Sequence, residues 1–241
     1  MKLAVYLTAG YPSNEVFGAF ASAACTAGAD RLEIGLPVRE PKYDGPEIRR
    51  THARALENFS MGGLASTLKA CINGGTEATA LRYMPDPAEF GSILGDIRES
   101  GIRQMIIPDL LIDHYEERFA VIEQMNGAGI EWIPFYNPAT PDSVILETID
   151  RAGKWVYYGL LPSTGISVPT SVETVYQRAR EVIGNREIVF GFGIRDSQQV
   201  SLLRDLGADG IAIGSALVNF LQNSDIEGFR NYLGVLNAIR N

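Results

Sequence analysis

Cysteine, histidine and lysine are scarce in this chain of 241 residues. It contains two cysteines, two histidines and four lysines, against 17 arginines. Cys25 and Cys71 lie far apart in the sequence and form no CxxC motif, which indicates neither a disulfide framework nor a zinc site. We expect both to fill small apolar positions in a protein of the reducing cytoplasm. His52 and His114 lack the spacing of metal ligands, and surface or capping roles are expected for them.

An excess of positive charge and long hydrophobic runs are also missing. The formal net charge of −8 argues against nucleic acid and against anionic membranes as partners. The negative charge does not exclude an anionic metabolite as ligand, because backbone amides bind phosphate without basic side chains. No stretch approaches the ~18–20 apolar residues of a membrane span. The apolar run in MKLAVYLTAGYP is too short for a signal peptide and is predicted to be a first strand.

Short apolar runs alternate with longer amphipathic ones along the whole chain. Eight runs rich in β-branched and aromatic residues are predicted strands: 2–9, 31–36, 78–84, 104–109, 131–137, 155–161, 187–193 and 210–216. The predicted helices are 14–27, 46–59 with a further piece at 62–72, 87–99, 113–127, 141–152, 170–183, 197–206 and 225–239. This alternation predicts an α/β fold, a (β/α)8 TIM barrel formed as one domain by residues 1–241. A doubly wound open sheet is the alternative, but the turn LTAGYP after the first strand is not a GxGxxG motif.

A glutamate interrupts the apolar strand RLEIGL. Leu32, Ile34 and Leu36 share one face of this strand, so Glu33 points to the other, into the barrel. Burial there raises the pKa of a carboxyl group and suits it to acid–base chemistry. A structural glutamate paired with an arginine or a backbone group is the alternative.

Asp44 lies in the loop KYDGP, on the face of the barrel that carries the chemistry of such folds. Pro46 at the first helical position makes Gly45 the cap, which weakens a purely capping role for Asp44. Two carboxylates at one mouth are a candidate acid–base pair but do not identify a reaction.

Glycine-bearing turns follow the last strands, GFGI (191–194) and GSA (214–216). Barrels often bind phosphate in the loops after strands 7 and 8, so Gly193, Gly214 and Ser215 are candidate phosphate ligands. Tight structural turns are the alternative. The loop 160–171 is either a lid over the site or a surface loop.

Several motifs together resemble one known family over essentially the full length of the chain. They are LTAGYP (7–12), LEIGLPVREPKYDGP (32–46), IIPDLL (106–111), STG (163–165), GFGI (191–194) and ADGIAIGSALV (208–218). The chain resembles the alpha subunits of tryptophan synthase, which are (β/α)8 barrels. The family cleaves indole-3-glycerol phosphate to indole and glyceraldehyde 3-phosphate by a retro-aldol reaction.

The resemblance implies roles for individual residues. Glu33 and Asp44 match the catalytic pair: Glu33 moves protons at the ring carbon and at the glycerol hydroxyl, and Asp44 pairs with the indole N–H. The implied substrate-binding residues are Gly165, Gly193, Gly214 and Ser215 for the phosphate, and Thr164, Phe192, Tyr83 and Tyr157 for the indole side. Asp109 matches an aspartate involved in signalling to the partner.

The resemblance also implies the setting of the reaction. The partner is a beta subunit in an α2β2 complex that carries pyridoxal phosphate, whereas this chain needs no cofactor and no metal. The chain departs from the family at Tyr11, Arg39 and Glu40, near the expected beta-subunit contact. Two alternatives stay open: a non-catalytic activator that binds the phosphate ligand, and another phosphate-binding barrel, such as a sugar-phosphate isomerase or indole-glycerol-phosphate synthase. The synthase uses catalytic lysines, and none of the four lysines follows a predicted strand closely.

Overall fold

Parallel strands arranged in a ring form the centre of the molecule. The computed structural model describes residues 1–161, 171–194 and 196–240. In this part of the chain the strands are β1 (Lys2–Thr8), β2 (Arg31–Gly35), β3 (Glu77–Leu81), β4 (Gln104–Ile106), β5 (Glu131–Trp132), β6 (Phe135–Tyr136), β7 (Trp155–Gly159), β8 (Glu187–Gly191) and β9 (Gly210–Ile213). They pair in the order β5-β4-β3-β2-β1-β9-β8-β7-β6, and every pair is parallel.

The two ends of this sheet are consecutive pieces of one extended segment. The Ile133 N–H donates to the Met105 carbonyl at 2.9 Å, and the Pro134 carbonyl accepts from the Tyr157 N–H at 2.9 Å. The segment therefore joins β4 on one side to β7 on the other, and the sheet closes into the predicted (β/α)8 barrel. Pro134 has no N–H to give to the ladder, which is why the predicted strand 131–137 is divided in two.

Helices surround the barrel. In the described residues they are α1 (Asn14–Thr26), α2 (Pro46–Ala55), α3 (Met61–Asn73), α4 (Pro87–Glu99), α5 (Arg118–Gly127), α6 (Asp142–Thr148), α7 (Val172–Ile183), α8 (Ser197–Leu206), α9 (Val218–Gln222) and α10 (Ile226–Arg240). Pro46 and Pro87 occupy the first helical turns of α2 and α4, where the missing N–H costs nothing. None of the helices in these residues is long and apolar enough to cross a membrane.

A predicted helix and a predicted strand differ clearly in extent from the structure. The predicted helix 113–127 begins only at Arg118, because the N–H groups of Glu117 and Arg118 bond three residues back, as in tight turns. After β9 the sequence was expected to stay extended to residue 216, but a 3-10 turn, Ser215–Leu217, leads at once into α9.

The strand faces separate two apolar regions. Leu32 and Ile34 belong to the large core between the strands and the helices, together with Trp132. A smaller cluster of alternate residues fills the barrel interior, including Trp155, Phe135 and Val189. The parity that sends Glu33 inward is therefore as predicted.

The two cysteines meet across a helix pair. Cys25 on α1 and Cys71 on α3 are both free thiols, and Cys71 is buried. Burial raises the pKa of the Cys71 thiol to about 12, and a hydrogen bond with Cys25 adds to the shift. Cys71 therefore serves as a small, inert core residue, as expected.

A buried arginine closes the amino-terminal end of the barrel. Arg31 is 2% exposed, and its guanidinium donates to Glu77 at 2.8 Å and to Glu187 at 2.6 Å. The same group lies 4.4 Å from the centre of the Trp155 ring. The two carboxylates and the ring offset the cost of burying this charge.

We expect Arg31→Ala to lower the free energy of unfolding by roughly 3 kcal/mol, because it removes the arginine partner of Glu77, leaves Glu187 with Lys2 alone, and opens a void under Trp155. Urea denaturation measures the change. Arg54→Ala is the matched control: Arg54 forms a pair with Glu57 in which both side chains are about 60% exposed, so its loss is expected to cost less than about 0.5 kcal/mol. Equal losses in the two variants would contradict a closing role for Arg31.

Candidate active site

A cavity opens at the carboxyl ends of the barrel strands. Residues of β1, β2, β3, β7 and β9, of α2, and of the loops after β2, β8 and β9 meet there. The residues that line it are Tyr6, Glu33, Asp44, Ile48, Leu81, Tyr157, Phe192, Gly193, Ile194, Ala212, Ile213, Gly214 and Ser215. This is the end of the barrel at which catalysis is found in such folds.

Glu33 is buried in the cavity wall without a strong partner. The residue is only 1% exposed, and its Oε1 has no hydrogen-bond partner in the described part of the protein. Burial raises the pKa of Glu33 to about 8, and the charge of Arg31 opposes this shift only partly. At neutral pH the carboxyl group is therefore protonated and can donate a proton.

Asp44 reaches the same cavity from the loop after β2. Gly45 is the N-cap of α2, as predicted, so the Asp44 side chain is not used as a cap. Instead, Asp44 Oδ2 accepts from the Tyr83 hydroxyl at 2.9 Å. Burial raises the pKa of Asp44 to about 6, while the Tyr83 hydrogen bond and the charge of Arg49 hold it down. Asp44 is therefore mostly ionised at pH 7.

The loop that carries Asp44 is fixed by contacts with the next two strand ends. The Tyr43 hydroxyl donates to Asp113 at 2.8 Å, and the Lys42 ammonium pairs with the same carboxylate at 2.8 Å. The Tyr43 N–H donates to the Tyr83 hydroxyl at 3.0 Å. Asp44 is thus held on a closed loop in this structure.

Two glycines make room for tyrosine hydroxyls at the mouth. A Cβ on Gly35 would lie 2.1 Å from the Tyr6 hydroxyl, and a Cβ on Gly191 would lie 1.8 Å from the Tyr157 hydroxyl. Any larger residue would displace these rings. Glycine at these strand ends therefore allows both tyrosines to line the cavity.

The loops after β8 and β9 form the polar rim. Phe192 has a φ of 53° and Gly193 a φ of 123°, so the chain turns sharply away from β8. Left-handed backbone is uncommon for a phenylalanine, and such strain is often found at functional sites. Gly214 and Ser215 follow the neighbouring strand β9 and lead into the 3-10 turn.

Most of the predicted site residues come together here. Seven of them line the cavity: Glu33, Asp44, Tyr157, Phe192, Gly193, Gly214 and Ser215. Tyr83 is not among the lining residues, and it lies behind Asp44 as its hydrogen-bond donor. Thr164 and Gly165 lie outside the described residues. Asp109 accepts from the Met84 N–H at 2.9 Å and so fixes the end of β3, outside the cavity.

The expected surface or capping role of His52 was wrong, because this residue is completely buried. Its Nδ1 accepts from the Val38 N–H at 3.2 Å, which leaves the proton on Nε2 to donate to the Tyr6 hydroxyl at 3.0 Å. Burial lowers the pKa of His52 to about 4, so the ring is neutral. The other histidine, His114, is half-buried, with Nε2 3.8 Å from Asp109.

Sequence reasoning also missed Tyr6, which lines the cavity beside Glu33. Signals for both residues were present in the sequence. Tyr6 shares the inward parity of Ala4 on β1, and His52 follows Ile48 by one helical turn on the buried face of α2.

A metal site is not evident at these carboxylates. In residues 1–161, 171–194 and 196–240, no group of three or more His, Cys, Asp or Glu side chains is arranged to hold an ion.

Comparison with known proteins gives a consistent match. The sequence model of the family described as tryptophan synthase alpha chain matches residues 1–235. The tryptophan synthase alpha chain of Sulfurisphaera tokodaii is 32% identical over 239 residues, which cover 99% of this chain and 96% of the relative. That of Saccharolobus solfataricus is 31% identical over 241 residues, covering 98% and 96%.

Solved structures agree with the sequence matches. A chain of the tryptophan synthase α2β2 complex from the hyperthermophile Pyrococcus furiosus superposes with a TM-score of 0.84 at 27% identity, covering 99% of this chain and 98% of that one. A protein from Aquifex aeolicus superposes with the same TM-score at 26% identity, covering 100% and 93%.

The pKa of Glu33 predicts a pH-dependent cost of burial. Because the pKa is raised in the folded state, the stabilising contribution of the protonated carboxyl is complete below the unfolded pKa and is lost as the pH rises through about 8. We expect the free energy of unfolding of Glu33→Gln to exceed that of the original chain, and this difference to grow by roughly 2 kcal/mol from about pH 6 to about pH 8. Urea denaturation at both pH values measures this gain.

Glu99→Gln removes an exposed carboxyl group and serves as the control for the substitution itself. A difference between Glu33→Gln and the original chain that does not change with pH would mean that Glu33 is ionised in the folded protein throughout this range.

Proposed function

Because the chain belongs to the tryptophan synthase alpha chain family, we propose that it cleaves indole-3-glycerol phosphate with Glu33 and Asp44 as its acid–base pair. The products are indole and glyceraldehyde 3-phosphate. One observation carries the assignment: two carboxyl groups line one cavity with pKa values of about 8 and about 6. At neutral pH one is an acid and the other an anion, which is the division of roles that this reaction requires.

The proton transfers balance over one cycle. Protonated Glu33 donates to C3 of the indole ring, while the Asp44 carboxylate accepts a hydrogen bond from the ring N–H and stabilises the cation that forms. The resulting Glu33 carboxylate takes the proton of the adjacent glycerol hydroxyl as the carbon–carbon bond breaks. The electron pair of that bond returns to the ring, the hydroxyl carbon becomes an aldehyde, and Glu33 is protonated again.

The cavity offers separate surroundings for the two ends of the substrate. Tyr157 and Phe192 meet edge to face, with ring centres 5.9 Å apart, and form an aromatic wall for the indole. Gly193, Gly214 and Ser215 on the rim would bind the phosphate through backbone N–H groups and one hydroxyl. We assign Gly165 to the phosphate, and Thr164 and Tyr83 to the indole side, on the family resemblance alone. The position of Tyr83 supports a role in holding Asp44.

We further propose a beta subunit as partner. The Pyrococcus furiosus relative is a chain of an α2β2 complex for which mutual activation is described. Pyridoxal phosphate would belong to that partner, and the alpha chain would work without a cofactor in the cytoplasm. Asp109 matches the family's aspartate for signalling to the partner. Tyr11, Arg39 and Glu40 depart from the family, and we expect differences in partner contact at these positions.

The first test is indole release from indole-3-glycerol phosphate by the purified chain, alone and with a beta subunit from the same source. Release that increases with the partner supports both the reaction and the complex. An absence of release in both cases, with phosphate binding retained, would favour a non-catalytic ligand-binding role.

Glu33→Gln and Asp44→Asn are each expected to lower the rate of indole release by at least ~10²-fold, because each removes one member of the acid–base pair while keeping its size. Steady-state kinetics at neutral pH gives the rate, and circular dichroism checks that the fold is retained. Near-normal turnover by both variants would rule out this pair as the catalytic groups.

A further inference from the structure

A wider cleft leads from the rim of the cavity to solvent. It shares Ile48, Gly193 and Ser215 with the cavity, so it lies at the end assigned to the phosphate. The first turns of α2 also line this cleft, together with Leu161, Ala216 and Asn219. A phosphate group bound at Gly193 and Ser215 would therefore lie in a cleft that α2 lines as well.

The charged lining of this cleft is sparse. Among its described residues, Arg50 is the one basic side chain and Glu47 the one acidic side chain. These residues are three apart on α2, yet no ion pair between them occurs in the described structure. The guanidinium is thus available to another anion.

The three arginines of α2 differ in how they are used. Arg49 donates to the carbonyls of Asp44 and Lys42 at 2.7 and 2.6 Å, and Arg54 pairs with Glu57 at 2.7 Å. Arg50, by contrast, makes no hydrogen bond or ion pair to any residue in the described part of the chain. It is the unengaged cation of this helix, and it lines the cleft that leads to the rim.

A cation at the position of Arg50 would offset the negative charge that surrounds the cleft. The chain carries a net charge of −8, and the ionised Asp44 lies in the cavity below, so a substrate phosphate approaches an unfavourable field. A guanidinium presents donors in a fork that matches two phosphate oxygens. One arginine at the entrance would both attract and orient the phosphate end.

We propose that Arg50 binds the phosphate group of the substrate and supplements the backbone groups of Gly193, Gly214 and Ser215. The inference rests on the proposed function for the identity of the phosphorylated substrate. Arg50 does not touch the bond that breaks, so its contribution belongs to binding and not to the chemical step.

The test compares Arg50→Gln, Arg50→Lys and the control Arg54→Gln. In Arg50→Gln we expect the KM for indole-3-glycerol phosphate and the Kd for inorganic phosphate, measured by calorimetry, to rise about tenfold or more, as loss of a charged hydrogen bond predicts. The kcat is expected to change less than about threefold, and inhibition by indole, which has no phosphate, is expected to stay the same. Arg50→Lys should lie between, because it keeps the charge and loses the fork.

Unchanged KM and phosphate affinity in Arg50→Gln would overturn the proposal. Equal weakening of phosphate and indole binding would overturn it too, since that indicates a structural role. An effect of the same size in Arg54→Gln would also contradict the proposal, because it would indicate a general effect of positive charge and not phosphate binding by Arg50. If the original chain releases no indole, the proposed function fails, while calorimetry with phosphate still tests Arg50 independently.

Discussion

The burial of the Glu33 carboxyl group inside the barrel is the constraint on which the site depends. Glu33 is fixed on β2 between two residues of the outer core, so it cannot turn away from the interior. Without a strong partner, its lowest-energy state at neutral pH is the protonated acid. The fold thus converts an ordinary glutamate into a proton donor.

The two ends of the barrel differ in how far their buried charged groups are paired. At the amino end, Arg31 is buried but compensated by two carboxylates and a tryptophan ring, and it remains a structural ion. At the carboxyl end, among the residues that the structure describes, one Glu33 oxygen has no partner and Asp44 has a single tyrosine donor, so both carboxyl groups can meet a ligand. Stability is concentrated at one end and reactivity at the other, as is usual in this architecture.

Much of this could be predicted from the sequence because it depends on local patterns. The alternation of side chains in RLEIGL fixes the direction of Glu33. Pro46 fixes the start of α2, so that Gly45 is the cap and the Asp44 side chain is not needed as one. The closure of the sheet by 131–136, the burial of His52 and the placement of Tyr83 behind Asp44 depend on contacts between segments distant in sequence. Patterns within one segment do not contain that information, and His52 was misjudged because its partners, Tyr6 and Val38, are on other elements.

The proposed chemistry requires Glu33 to be protonated at pH 7 while Asp44 is ionised in the same cavity. Infrared difference spectroscopy of the original chain against Glu33→Gln observes the carboxyl group directly as a function of pH. We expect a protonated carboxyl C=O band that persists at pH 7 and disappears near pH 8. A band that is already absent at about pH 5, replaced by carboxylate absorption, would contradict it.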